Sequence, residues 1–427
     1  MLHSWSYRFP LLHLFSSAHR GRHLGKGQAM VTKNTQRLAE VGPIDPQTGF
    51  PFWYEDSTGL RLELVWREGD DNAPVVLDQE SGTLRGNPFP GEAFYMSAET
   101  EFTAGAGNRT ARIRVILALE ATFGGTGEVM DGQQIVFGRI RFRVRDGLPE
   151  TAYKLTHPYG TVEGTTDDRG RVTVTEDIGV TPLDFTGALG SSIAPFLRWT
   201  PDPDLPPGYV GDGTTEHTVT GSPFGTNFAL VEGPGVGAAG NQPDPGDPGN
   251  LDKIYTDLFV LQGRIATVNG ADVPRAVYTR AGDGTVTTDV FARSITGQQL
   301  LVAGAGLPDT PMQGGATRNY VARLDSGSTV PTEVTVTNLT DSSPLPTTAA
   351  VTDAVEITQA DYDAAARSLT VVATSSDQQT PPALTVIGRG GLSGPVGVLT
   401  DVDAPPPVIT VESTAGGLST RSIRVVG

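Results

Sequence analysis

Residues 135–145 read Ile-Val-Phe-Gly-Arg-Ile-Arg-Phe-Arg-Val-Arg. Side chains of an extended strand alternate between its faces, so Arg139, Arg141, Arg143 and Arg145 share one face and Ile140, Phe142 and Val144 the other. A helix would scatter both sets around its circumference, so the pattern demands a strand with one apolar and one cationic side. The same period of two runs through residues 60–66 and 111–123, where Arg112 and Arg114 alternate with Ile113, Val115, Leu117 and Leu119. Gly124-Gly125 and Asp131-Gly132 bracket a connection from the second run into the arginine strand.

Elsewhere the chain reads turn, strand, turn. Asp167-Asp168-Arg169-Gly170 is a hairpin turn between short strands, and only residues 183–196 suit a short helix. The expected fold class is all-β: an N-terminal β-sandwich domain followed by two immunoglobulin-like β-sandwich modules. Residues 1–40 read as a disordered or targeting extension, residues 41–232 as the first domain, and residues 233–250, with six Gly and four Pro, as a linker.

Beyond it two segments match in order. Residues 273–278 (Val-Pro-Arg-Ala-Val-Tyr) correspond to 357–362 (Ile-Thr-Gln-Ala-Asp-Tyr), 290–294 to 371–375, 300–304 to 384–388, and 334–337 to 409–412. Conserved order with variable loops marks a duplicated module, placed at residues 251–340 and 350–427. These tandem modules resemble the Ig-like repeats of bacterial secreted and cell-surface proteins. Through His157-Pro-Tyr-Gly160 and residues 216–228, the N-terminal domain is similar to uncharacterised bacterial proteins of the same build. The resemblance implies a surface location and a multi-module β architecture, and it carries over no catalytic residues.

Charge narrows the partners. The chain carries a formal −17, yet residues 1–40 hold six Lys or Arg against one acid, so the remainder stands at −22. Such a body repels nucleic acid and anionic membranes over most of its surface. There are no cysteines, which excludes disulfides, thiolate metal sites and cysteine nucleophiles. No apolar run approaches the ~18 residues of a membrane-spanning helix.

Candidate sites stand against plainer readings. The arginine row, Arg139 to Arg145, suits a polyanion such as an acidic polysaccharide. The alternative is neutralisation by acids on neighbouring strands, with Glu63, Glu99, Glu101 and Glu120 available. His157 and His217, with Asp167, Asp168 or Asp212, could form a metal site or an acid/base pair, or each could be a hydrogen-bonded structural residue. Calcium ligands are offered by Asp167 and Asp168 with Glu176 and Asp177, or by Asp244, Asp247 and Asp252, although Asp also favours turns for its own conformational reasons. Trp53, with Phe50, Phe52 and Tyr54, is either a carbohydrate-stacking platform or the edge of a core. No nucleophile elbow or Walker loop is present, and no G-x-G-x-x-G lies between a strand and a helix; Gly233-Pro-Gly-Val-Gly237 reads as linker.

The expectation is a non-catalytic extracellular or cell-surface structural protein. Its N-terminal domain binds or assembles, and its partners are further copies, other surface proteins or acidic polysaccharide. The alternatives are a secreted polymer-acting hydrolase with accessory modules and a polyanion- or carbohydrate-binding adhesin.

Overall fold

The computed structural model describes residues 34–66, 80–239 and 242–427. The chain is all-β, with strands assembled into several two-sheet bodies and helix confined, among the described residues, to short 3-10 turns. It divides into two compact units, residues 1–267 and 268–427. Most of the expected N-terminal extension, residues 1–33, lies outside the described residues. Residues 34–40 belong to the fold: Leu38 is in the core, and the Asn34 amide donates to the Ser192 and Ala194 carbonyls at 2.8 and 2.5 Å.

In the first unit, among the described residues, a ten-stranded sheet is centred on Leu258–Ile265, Ala93–Ala106, Arg109–Phe123 and Gln134–Arg145, with Val172–Ile178 at one end. The arginine strand runs antiparallel to both neighbours, pairing Arg143 with Arg114 on one side and with Thr173 on the other. Alternation along the strand sets its burial. Phe142 and Val144 are fully buried, Ile140 packs against them, and Ile113, Val115 and Leu117 join them from the next strand. A four-stranded sheet, Gly160–Thr165, Ala152–His157, Ala229–Glu232 and Lys253–Thr256, supplies Tyr153, Leu155, Val231 and Ile254 to the same core. Burial of a side chain of this size contributes ~1.5–3 kcal/mol, which fixes the register of so long a sheet.

The expected helix over residues 183–196 is realised only as a 3-10 turn, Phe185–Gly190, capped by the Asp184 carboxylate accepting from the Gly187 N–H. The following segment lies on Gly138, where an added Cβ would stand 2.3 Å from the Ser191 Cβ, so glycine alone permits this approach.

The boundary expected at residues 233–250 falls instead at residue 267. Ala229–Glu232 pairs antiparallel with Lys253–Thr256, so the Gly/Pro-rich stretch is the loop of a hairpin. Leu258–Ile265 then pairs with Ala93–Ala106 inside the large sheet. Gly and Pro mark the absence of regular structure; whether the chain then leaves the domain or turns back is set by the strands on either side.

In the second unit the matched segments become equivalent strands. Asp272–Arg280, Val286–Arg293, Leu300–Gly304 and Glu333–Asn338 recur as Val355–Asp363, Ser368–Ser375, Leu384–Val386 and Val408–Ser413. The pairing recurs with them: Asp272–Arg280 takes Thr352–Asp353 as a parallel neighbour, and Val355–Asp363 takes Arg424–Val426 in the same way. Each set encloses its own core, built on Tyr278, Val290 and Val336 in one and on Tyr362, Val371 and Val411 in the other.

Candidate functional site

The arginine face is divided. Arg139, at 5% exposure, is fully engaged: its Nη1 donates to Glu120 at 2.9 and 3.1 Å, and its Nε and Nη2 form a two-pronged contact with Asp177 at 2.8 and 3.0 Å. Asp177 stands directly across the strand pair from Arg139, while Glu120 reaches it diagonally from the other neighbour. Burial pushes the Glu120 carboxyl up, and Glu92 adds to this, while Arg139 draws it back down.

The other half of the row is open. Arg141 donates to the Thr175 hydroxyl at 3.2 Å. Among the described residues Arg143 and Arg145 have no carboxylate in ion-pair range. Arg114 pairs with Glu99, and Arg112 reaches Asp146 at 3.5 Å with both side chains largely exposed. Glu63, offered by the sequence as a neutralising acid, is taken by Arg264 at 2.9 Å. Arg143 lies directly opposite Arg114, and Arg145 opposite Arg112. The guanidinium of Arg143 is driven down by partial burial and by Arg145, Arg141 and Arg114, all of its own sign. Sequence reasoning missed Asp177 as the acid for Arg139, and Thr173 and Thr175 as the hydroxyls flanking the row. The signal was the alternation Val172-Thr-Val-Thr, which puts Thr173, Thr175 and Asp177 on the arginine side.

The two histidines are not brought together. His157 is buried at 2% exposure, its Nδ1 accepts from the Tyr159 N–H at 3.2 Å, and burial pushes it down to about 3. It is a neutral residue stabilising the turn at residues 157–160. His217 stacks on Trp199 with ring centroids 4.4 Å apart; its Nε2 meets Asp202 at 2.9 Å and its Nδ1 the Thr218 carbonyl at 2.8 Å. Both nitrogens of His217 therefore have hydrogen-bond partners within the protein. Asp212, the third suggested member, accepts from Thr214 and Thr215 in its own turn.

Trp53 is 1% exposed, and Phe50, Phe52 and Tyr54 are buried with it, so the aromatic cluster is core and offers no stacking platform. The Tyr54 hydroxyl donates to the Phe185 carbonyl at 2.8 Å, and that of Tyr95 to the Pro51 carbonyl at 2.6 Å, satisfying the polar tips inside.

Among the described residues no group of three or more acids or histidines is arranged around a metal position. Asp167 accepts from the Arg169 and Arg171 amides across its turn, while Asp168 is exposed. The turn is closed by Gly170 at φ +72°, where an added Cβ would lie 2.0 Å from the Gly147 carbonyl oxygen. Asp244 and Asp247 already have a cation, the Lys253 ammonium at 3.5 and 3.4 Å. No helix is long and apolar enough to cross a membrane among the described residues.

No family model matches the chain, and no curated protein does. Among solved structures it is similar to one described under host cell surface retention of a 1.5-MDa bacterial ice-binding adhesin, at 12% identity and TM-score 0.17, covering 68% of this chain and 91% of that one. A second is a Ca2+-stabilised adhesin of an Antarctic bacterium that binds ice, at 11% identity and TM-score 0.16, covering 79% and 93%. A third is the BSP domain of a biofilm-associated protein, at 7% identity and TM-score 0.19, covering 92% and 98%. At TM-scores below 0.2 these likenesses assign neither a shared fold nor an activity to this chain.

Proposed function

We propose that this protein is a non-catalytic extracellular or cell-surface structural protein, in which the N-terminal unit binds and the two C-terminal Ig-like modules act as a stiff spacer. The observation that carries the reading is the junction within the second unit. Thr352–Asp353, the closing strand of the first module, continues within two residues into Val355–Asp363, the opening strand of the second. Asp377 of the second module, 1% exposed, accepts from Arg280 Nε at 3.0 Å and the Tyr278 hydroxyl at 3.1 Å, both on the first. The Ser376 hydroxyl donates to the Tyr278 carbonyl at 2.6 Å and accepts from the Ala354 N–H at 2.8 Å. A junction so densely bonded stiffens a tandem array, where a flexible linker would let the modules swing.

The reading is also supported by the fate of the candidate acid/base groups: His157 is buried and neutral, and His217 is bonded at both nitrogens. The test is electron microscopy and small-angle scattering of the full chain, with an assay for polymer turnover beside them. Two modules held in one fixed orientation, with no release of reducing ends from polysaccharides, are expected. Independent swinging of the modules overturns the spacer role, and turnover overturns the non-catalytic one.

A further inference from the structure

The open half of the arginine face is a local conflict within an acidic body. On the Gln134–Arg145 strand, Arg141, Arg143 and Arg145 are spaced about 6.6 Å apart on one side, so the three span about 13 Å. Across the strand pair Arg143 faces Arg114 and Arg145 faces Arg112, and like charges directly opposite destabilise a sheet. Two of the four opposed arginines, Arg112 and Arg114, have an acid of their own; Arg143 and Arg145 have none among the described residues. A sheet that needed only cohesion would carry threonine or glutamate there, as the neighbouring strand does at Thr173 and Thr175. Departures from local consistency of this kind concentrate at functional positions.

We propose that the face carrying Arg141, Arg143 and Arg145 binds an extended carboxylate-bearing polysaccharide, each guanidinium taking a carboxylate while Thr173 and Thr175 meet the sugar hydroxyls. The chemistry is displayed at the occupied end of the same row, where Arg139 grips the Asp177 carboxylate with two prongs. The open guanidiniums lack that partner among the described residues. Their surroundings select a slender ligand. Glu99, Glu101 and Asp146 border the row, and residues 41–427 carry −22, so the broad phosphate surface of a duplex or the plane of an anionic membrane would meet repulsion on all sides. A single acidic chain lying along the strand avoids it. The basic N-terminal stretch, +5 over residues 1–40, has the wrong sign to occupy the face. Thr173 and Thr175 are exposed on the end strand of the sheet path, which leaves the row open from that side.

This assignment rests on the reading of the N-terminal unit as a binding unit, and the experiment separates the two. The full chain is titrated against immobilised polygalacturonate, with dextran, dextran sulfate, duplex DNA and phosphatidylserine vesicles as the other arms. Binding to polygalacturonate that weakens with salt is expected, with Arg143→Gln and Arg145→Gln each lowering affinity about tenfold. Arg323→Gln, removing an exposed arginine of the second unit, is expected to leave affinity unchanged. Arg145 is exposed, so its variant reports on binding even where Arg143→Gln alters stability in a melting curve. Absence of polygalacturonate binding, equal binding by the double variant, or preference for dextran sulfate, DNA or vesicles overturns the proposal. None of these results alters the stiffness of the module junction or the absence of turnover, by which the broader reading is judged.

Discussion

Arg139 and Arg143 lie four residues apart on the same side of one strand and meet opposite environments. The first is enclosed by Glu120 and Asp177; the second faces Arg114 and threonine. Removing one member of a buried ion cluster leaves the others uncompensated, so Arg139→Ala should cost roughly 3–5 kcal/mol in denaturant unfolding. Arg143→Ala, which relieves repulsion and leaves no acid stranded, should fall within about 0.5 kcal/mol of wild type. His157 sets a pH limit of its own. Its folded value, about 3, lies below the ordinary 6.5, so the unfolded chain binds the extra proton between these values. The stability it confers is therefore complete above pH 6.5 and is lost as pH falls toward 3, on the order of 5 kcal/mol in all. His157→Gln, which keeps an acceptor for the Tyr159 amide, should lose less stability than wild type between pH 7 and pH 4, measured by urea titration at each pH.

At the scale of elements, the two sets of strands in the second unit are closed by side-chain hydrogen bonds that strand matching alone does not expose. The first closes one end around Gly270, whose carbonyl accepts from Ser294 and Asn338 while Asp341 takes its N–H at 2.8 Å. The second is closed from the joining strand, where Asp353 accepts from the Ser375 hydroxyl at 2.6 Å, from the Ser413 hydroxyl, and from the Gly417 N–H at 3.0 Å. Ser375 and Ser413 stand where the repeat places Ser294 and Asn338, and Asp353 falls opposite Asn269. Asp353→Ala strands three donors, two of them buried, and should cost about 3 kcal/mol, while Asp353→Asn should cost about 1 kcal/mol, both read from thermal unfolding. The hairpin formed from the Gly/Pro-rich stretch is another result on this scale: Glu232 pairs with Lys253, and the intervening loop stays within the first unit.

For the whole molecule, the decisive contact is the one that joins the two repeated modules. Arg280 holds the Asp377 carboxyl below its usual range, aided by the Thr380 amide and the Tyr278 hydroxyl. A depressed folded value means that this contribution is present above the unfolded carboxylate range and is lost as pH falls through the depressed one. Asp377→Ala should therefore loosen the junction, seen as faster proteolytic cleavage near residues 345–355 and a broader scattering profile. Each module's own core should be retained, because Val290 and Val336 on one side and Val371 and Val411 on the other are untouched by the substitution.

Much of the fold is written locally. The all-β class, the burial of Phe142 and Val144 beneath the arginine row, the turn at Asp167–Gly170 and the recurring strand order of the second unit all follow from period-two patterning and turn chemistry, which act over a few residues. The arginine partners were legible only in part: Glu120 was among the acids the sequence offered, and Asp177 was not. Asp177 lies 38 residues from Arg139 and Glu120 lies 19 away on the other side, and a shift of one residue in either pairing would have sent the acid on that strand to the core face. Trp53 went to the core, the two histidines to separate partners, and the first unit's boundary to residue 267 for the same reason. Alternation along a strand fixes which side a residue faces; only the register among distant strands decides what it meets there, and for Arg141, Arg143 and Arg145 that register supplied no carboxylate among the described residues.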